Sequence, residues 1–292
     1  MPFNIAIGLI GGSGLYQMDA LAEKREHAIV TPFGPTSDSI VTGNLHGAPV
    51  AFLALHGRGH RLLPGEVPYC ANIYALKTLG VRYLVSISAV GSLREDIRPL
   101  DLVLPDQFID FTKRRESTFF GRGAVAHVSL AEPVCSALSG VIAQSVIDAE
   151  VGNLRLHRGG TYACIEGPAF STRAESHWYR SLNASVIGMT SMPEARLARE
   201  AEIAYATLAL LTDHDCWHPR EAHVSADMAL ANLAMNAAHA QRVVTAVARQ
   251  LHASPPASTA HTALSSALVT QPQQMSSATR ERLNALIQRF TA

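Results

Sequence analysis

The chain has 292 residues, 48% hydrophobic and 16% charged, with 24 Lys+Arg against 24 Asp+Glu and no formal net charge. That length and composition can bury one large core in a single sizeable α/β domain. The charge balance excludes a global electrostatic footprint for nucleic acid or for a membrane surface, so an anionic ligand must be met by a local site.

The stretch up to Tyr16 has no basic region, and Gly8, Gly11, Gly12 and Gly14 break its apolar run. It reads as folded protein rather than a signal peptide, and no stretch is long enough to span a bilayer. Cys70, Cys135, Cys164 and Cys216 are scattered without CxxC spacing. They read as reduced thiols in a cytoplasmic protein. Apolar runs bounded by turn residues predict strands over 4–10, 49–55, 83–89, 102–104, 186–189 and 203–211. Helix-like stretches lie between them, over 69–79, 132–148, 172–182 and 225–251. That alternation predicts an α/β fold, a single domain with a mixed central β-sheet flanked by helices. The domain is expected over 1–252, followed by a polar linker over 253–276 and an amphipathic C-terminal helix over 277–292. The linker, rich in Ala, Ser, Thr, Pro and Gln, reads as a mobile connection. In the helix Leu283, Leu286, Ile287 and Phe290 recur at helical spacing. Their stripe can cover this domain or a neighbouring subunit.

Six elements carry candidate chemistry. Gly11-Gly12-Ser13-Gly14 follows the first strand, where successive N–H groups and the Ser13 hydroxyl can hold an anion. It lacks the third Gly of a dinucleotide fingerprint and the Gly-Lys-Ser/Thr of a P-loop, and a plain strand-to-helix turn is the competing reading. The loop from Leu55 to Arg61 holds His56, Arg58, His60 and Arg61, which suit an oxyanion or simply a solvated basic loop. Ser88 to Leu93 puts Ala89 and small hydroxyl residues at the end of a strand, a usual place for a ligand crevice. Glu166 to Glu175 contains Phe170, able to stack on a flat base. There Thr172 or Ser171 also suits a helix N-cap, with Glu175 at the capping-box position. Gly188 to Glu194 offers Met189 as an adaptable apolar surface and Thr190 as a hydroxyl, ahead of a helix started by Pro193. Finally, Asp213 and Asp215 follow a long apolar strand. Two carboxylates there are costly unless used or hydrogen-bonded, and they match the N7 acceptor and N6 donor of adenine. A metal site from Asp213, His214, Asp215, Cys216 and His218 is the competing reading, but adjacent side chains diverge.

The order of these elements carries a resemblance. IGLIGGSGLY, TPFGPTSDSI, HGRGHR with PYCANIYALKTLG, SAVGSLREDIRPLDLVLPDQFIDFTK, AHVSLAEPVC, IEGPAFSTRAES, VIGMTSMPEARLAREA and TDHDCW span roughly residues 5–230. Together they resemble the methylthioadenosine phosphorylase family within the trimeric purine nucleoside phosphorylases. The resemblance implies the nucleoside phosphorylase fold and phosphorolysis of 5′-methylthioadenosine to adenine and 5-methylthioribose 1-phosphate, a purine and methionine salvage step. It implies phosphate contacts at Ser13, His56, Ala89 and Thr190, and a base pocket of Phe170, Asp213 and Asp215, the two carboxylates being catalytic. Met189 would lie under the ribose, and His127 would reach a neighbouring subunit's 5′-group in a homotrimer. Inorganic phosphate is the co-substrate, with no metal or organic cofactor. The expected partners are a small-molecule nucleoside, phosphate and a second copy of the chain, with no nucleic acid and no membrane. A 6-oxopurine nucleoside phosphorylase acting on methylthioinosine, inosine or guanosine is the alternative; such enzymes resemble this chain elsewhere but tend to carry Asn where Asp213 stands, so the two carboxylates favour a 6-amino base. A non-catalytic nucleoside-binding protein is the remote one. The sequence departs from the family at Leu55, where an Arg is usual, at Pro68 and Cys70, and at Ala169, where a basic residue is common. It is also longer and more polar beyond Leu251.

Overall fold

A computed structural model describes residues 5–12, 18, 20–150, 152, 154–219 and 226–291. Its first half runs β1 (Ile7–Gly11), β2 (Leu21–His27), β3 (Val30–Thr31), β4 (Gly34–Pro35), β5 (Ile40–Leu45), β6 (Ala48–Ala54), α1 (Tyr69–Thr78), β7 (Tyr83–Ser92), β8 (Leu102–Leu104), β9 (Gln107–Asp110) and α2 (Ser136–Asp148). It continues with β10 (Leu156–Arg158), β11 (Thr161–Cys164), α3 (Arg173–Ser181), β12 (Ala184–Gly188), α4 (Ser191–Glu200), β13 (Ala204–Asp213), α5 (Ala226–Ala253) and α6 (Ser277–Ile287).

β3 and β4 form a small hairpin. The remaining 11 strands make one sheet, ordered β10-β8-β13-β7-β1-β6-β5-β2, with β12, β11 and β9 branching from β7. At its centre β6, β1, β7 and β13 are mutually parallel. Their sequences are almost unbroken runs of apolar and small residues because helices cover both faces. The branch arises late in β7, where Gly91 and Ser92 pair antiparallel with Ile187 and Val186 of β12. α1, α4 and α6 cover one face, where Ile73, Leu76, Leu197 and Leu283 are fully buried. α2 and α5 cover the other through Leu138, Ile142, Val243 and Val247. The expected mixed sheet flanked by helices is therefore present.

The expected cap of α3 is in place. Thr172 accepts from the Glu175 amide while Glu175 accepts from Thr172, a reciprocal capping box. In α4 Met192 is non-helical, and regular helix continues from Pro193.

The segment over 253–276 departs from its reading as a mobile connection. It carries two short 3-10 turns, Thr259–Ser265 and Pro272–Gln274. Ala260, Leu264, Ala267 and Met275 are buried against the core. Tyr83 Oη donates to Pro256 O, and the Leu264 amide donates to Glu202 Oε1. The many Ala, Ser and Thr residues hid these few anchors. The stripe on α6 covers this chain: Leu283, Leu286 and Ile287 are buried, and Phe290 packs against the same core.

Candidate active site

The central strands end at one cavity of about 500 Å³. Gly12 follows β1, Leu55 and His56 follow β6, and Ser88 to Gly91 end β7. Thr212 and Asp213 end β13, and all of these line it. It thus lies at the carboxyl ends of a parallel sheet, where strand ends and following loops converge. Of the expected site residues, His56, Ala89, Phe170, Met189, Thr190, Asp213 and Asp215 all line it. Ser13 falls outside the described residues, although its neighbour Gly12 is on the wall. His127 is exposed on this chain and away from the wall, its amide donating to Ala267 O at 2.8 Å.

Asp213 is placed by an irregularity in the sheet. β13 pairs with β7 up to Leu211 opposite Val90, then slips so that Asp213 faces Gly91. Such a bulge re-aims a side chain at a strand end. Gly91 is required there, because a Cβ would stand 2.7 Å from Asp213 Oδ1. Asp213 Oδ1 accepts from the Asp215 amide at 2.8 Å, and Oδ2 accepts from the Thr212 hydroxyl at 2.6 Å. Val90 O is a second acceptor for that hydroxyl at 3.2 Å. The single Thr212 proton can therefore turn to Val90 O, which leaves Asp213 Oδ2 open to another partner.

Asp215 has a left-handed φ of 50°, a costly conformation for a non-glycine residue. It brings the carboxylate onto the cavity wall, where Ser176 Oγ donates to Oδ2 at 2.5 Å. Burial raises the Asp215 pKa from its ordinary value; Ser176 opposes the shift and the adjacent Asp213 charge adds to it. Ser176 carried no sequence signal, since its position on α3 gives no hint of a partner 39 residues away.

Also on the cavity wall, Ala89 is the exposed residue of an otherwise buried β7. Thr190 Oγ1 lies 3.2 Å from Ser88 Oγ, which lies 3.1 Å from Tyr162 Oη. His56 Nδ1 contacts Leu62 O at 2.9 Å, and its ring stacks on His60 at 4.3 Å. A carbonyl partner fixes the proton on Nδ1, leaving Nε2 as an acceptor in the neutral ring. Burial lowers the His56 pKa, with the Leu62 carbonyl opposing and His60 and Arg115 reinforcing. A neutral His56 suits a phosphate that still carries a proton. Of the arginines near the site, Arg58 is engaged by Glu26 and Asp38. Arg173 is exposed and off the wall, whereas Arg61 lines the cavity beside the buried Leu55.

Behind this wall sits a fully buried carboxyl. Glu194 Oε1 accepts from Tyr205 Oη at 2.8 Å, and Tyr205 accepts from Thr207 at 2.9 Å. Burial raises the Glu194 pKa to about 7 from 4.5, against the hydroxyls of Ser86 and Tyr205. A folded-state pKa above the unfolded one gives stability that is complete below the unfolded value and is lost as pH rises through the folded one. Glu194→Gln keeps the acceptor and removes the ionisation. It is expected to flatten the pH profile of stability between about pH 5 and 8, gaining up to roughly 3 kcal/mol over wild type at the alkaline end. Urea midpoints at both ends check this; an unchanged difference between them would show that Glu194 does not titrate in this range.

The fold and the site place the chain in a class. The phosphorylase superfamily model matches residues 6–249. S-methyl-5′-thioadenosine phosphorylase of Thermosynechococcus vestitus is 55% identical over 284 residues, covering 97% of this chain and 98% of that one. A crystal structure of a methylthioadenosine phosphorylase from an antarctic soil metagenomic library superposes with a TM-score of 0.93 at 60% identity, covering 97% of this chain and 99% of that one. The methylthioadenosine phosphorylase of Schistosoma mansoni in complex with adenine gives a TM-score of 0.82 at 34% identity, covering 86% of this chain and 93% of that one. The chain belongs to the phosphorylase superfamily and, within it, to the methylthioadenosine phosphorylases.

Proposed function

We propose that this protein cleaves 5′-methylthioadenosine with inorganic phosphate, giving adenine and 5-methylthioribose 1-phosphate. The observation that carries the reading is the pairing of Asp213 and Asp215 on one wall of an otherwise largely apolar cavity. In the same cavity the Thr190 hydroxyl, His56 and the Ala89 backbone offer groups suited to an oxyanion. Phosphate held there attacks C1′ as the C1′–N9 bond breaks and its electrons pass to the base. Asp213 shares or delivers a proton at N7, and Asp215 accepts from N6. Met189 lies under the ribose, and Phe170, 45% exposed, covers the base at the mouth. Fixing both reactants removes much of the entropy cost of a bimolecular step. The family relationship to phosphorylases supports phosphate as the co-substrate.

The reading extends to assembly. In a homotrimer, His127 of one subunit would close the 5′-side of its neighbour's cavity. Val125 and Val269, apolar, exposed and hydrogen-bonded to each other near His127, suit a subunit contact. A methylthio group prefers a dry wall, and a buried methyl-sized contact is worth about 0.8 kcal/mol. Base release from methylthioadenosine, adenosine, methylthioinosine and inosine, each with and without phosphate, tests both parts. Phosphate-dependent release is expected, favouring methylthioadenosine over adenosine by about one to two orders of magnitude. His127→Ala should narrow that preference. Better use of inosine-type substrates would contradict the base assignment. An unchanged 5′-preference in His127→Ala would remove His127 from the site.

A further inference from the structure

Arg115 belongs to the run Lys113-Arg114-Arg115, which resembles a solvated basic patch. Its side chain is nevertheless only 1% exposed. The guanidinium is not on the cavity wall; it lies behind it and meets six acceptors. Nη1 donates to Met189 O at 2.6 Å, Met192 O at 2.8 Å and Tyr69 Oη at 3.0 Å. Nη2 donates to Glu166 O at 2.8 Å and Ile165 O at 3.4 Å, and Nε donates to Glu166 Oε1 at 3.2 Å. Tyr69 passes the contact on, since its hydroxyl donates to Pro64 O at 3.1 Å. The Glu166 carboxylate closes the clasp by accepting from the Lys113 amide at 2.5 Å.

These partners sit on three segments of chain. Met189 to Met192 flanks Thr190. Ile165 and Glu166 precede the turn to Phe170. Pro64 follows the histidine loop. Met189, Ile165 and Pro64 each line the cavity. A buried cation is stable only with its hydrogen bonds met, and a planar fork of fixed N–H directions transmits geometry that a point charge cannot.

We propose that Arg115 is the positioning residue of this site, setting the spacing of the three loops that form its phosphate, sugar and base walls. It rests on the phosphorolytic reading above and deepens it. Arg115 touches neither reactant; it acts through Met189, Thr190 and the chain leading to Phe170. Because it joins walls for both substrates, its loss should act on kcat and on the KM of both.

The test compares Arg115→Lys, Arg115→Ala and Glu166→Gln with wild type, each rate normalised to folded protein by circular dichroism. Wild-type phosphorolysis in the same assay checks the underlying reading separately. Arg115→Lys keeps the charge and loses the fork; kcat/KM is expected to fall on the order of 100-fold, the cost of about 1 Å of misplacement. In Arg115→Ala, added methylguanidinium should restore turnover saturably while methylammonium does not, a response that a purely stabilising role would not give. Glu166→Gln, which leaves the guanidinium in place, should show a smaller loss shared between both KM values. Folded Arg115→Lys within about threefold of wild type overturns the proposal. So does Glu166→Gln with unchanged kinetics, should neither Arg115 variant fold.

Discussion

Replacing Asp213 with Asn is expected to lower kcat/KM for methylthioadenosine by about 10²–10⁴-fold, the range for losing a general acid. The substitution changes almost nothing in shape. Asn Oδ1 can still accept from the Asp215 amide, as Asp213 Oδ1 does at 2.8 Å. What disappears is a group able to move a proton onto N7 as the C1′–N9 bond breaks. The Asn amide still donates hydrogen bonds, so a 6-oxopurine, which offers acceptors at both N7 and O6, should lose far less. Methylthioadenosine and methylthioinosine measured side by side separate the two effects. An equal loss on both bases would mean that Asp213 shapes the pocket without moving a proton.

Gly188→Ala is expected to produce the largest loss of stability among single changes near the site. Gly188 ends β12, and a Cβ there would stand 2.0 Å from Tyr162 Oη, 2.7 Å from Tyr162 Cζ and 3.1 Å from Val90 Cγ1. Tyr162 is completely buried and cannot swing into solvent. Overpacking usually costs about 1–3 kcal/mol, and a contact this short belongs at or above the upper end. Activity should fall with it, because Tyr162 touches Ser88, and Ser88 touches Thr190. Thermal and urea denaturation read the first effect, and the KM for phosphate reads the second. A variant as stable as wild type would show that β12 can shift without disturbing Tyr162.

Much of the site was legible because its parts follow apolar strands. Glycines and small hydroxyl residues after such strands announce close backbone approach, and both carboxylates stand out beyond β13. The resemblance, rather than the residues alone, assigned Met189 to the ribose and His127 to a neighbour. Other parts were hidden for physical reasons. Arg115 carries no signal of its own, because local sequence does not say which cation of a basic run turns inward. Ser176 and Tyr162 matter through contacts 39 and 74 residues distant. β2 escaped notice because most of its LAEKREH sequence is exposed at a sheet edge, where charge suits the solvent. The branch of the sheet at β12 depends on how β7 ends, which local periodicity does not encode. In the segment over 253–276 a few buried side chains outweigh a composition that resembles a linker.

The central claim is that phosphate, not water, takes the sugar. Incubating the purified protein with methylthioadenosine and inorganic phosphate, and following phosphorus by nuclear magnetic resonance, tests it directly. The expected result is a sugar 1-phosphate signal growing in step with free adenine, with no adenine when phosphate is left out. Adenine released at the same rate without phosphate, or with no phosphate ester formed, would contradict it.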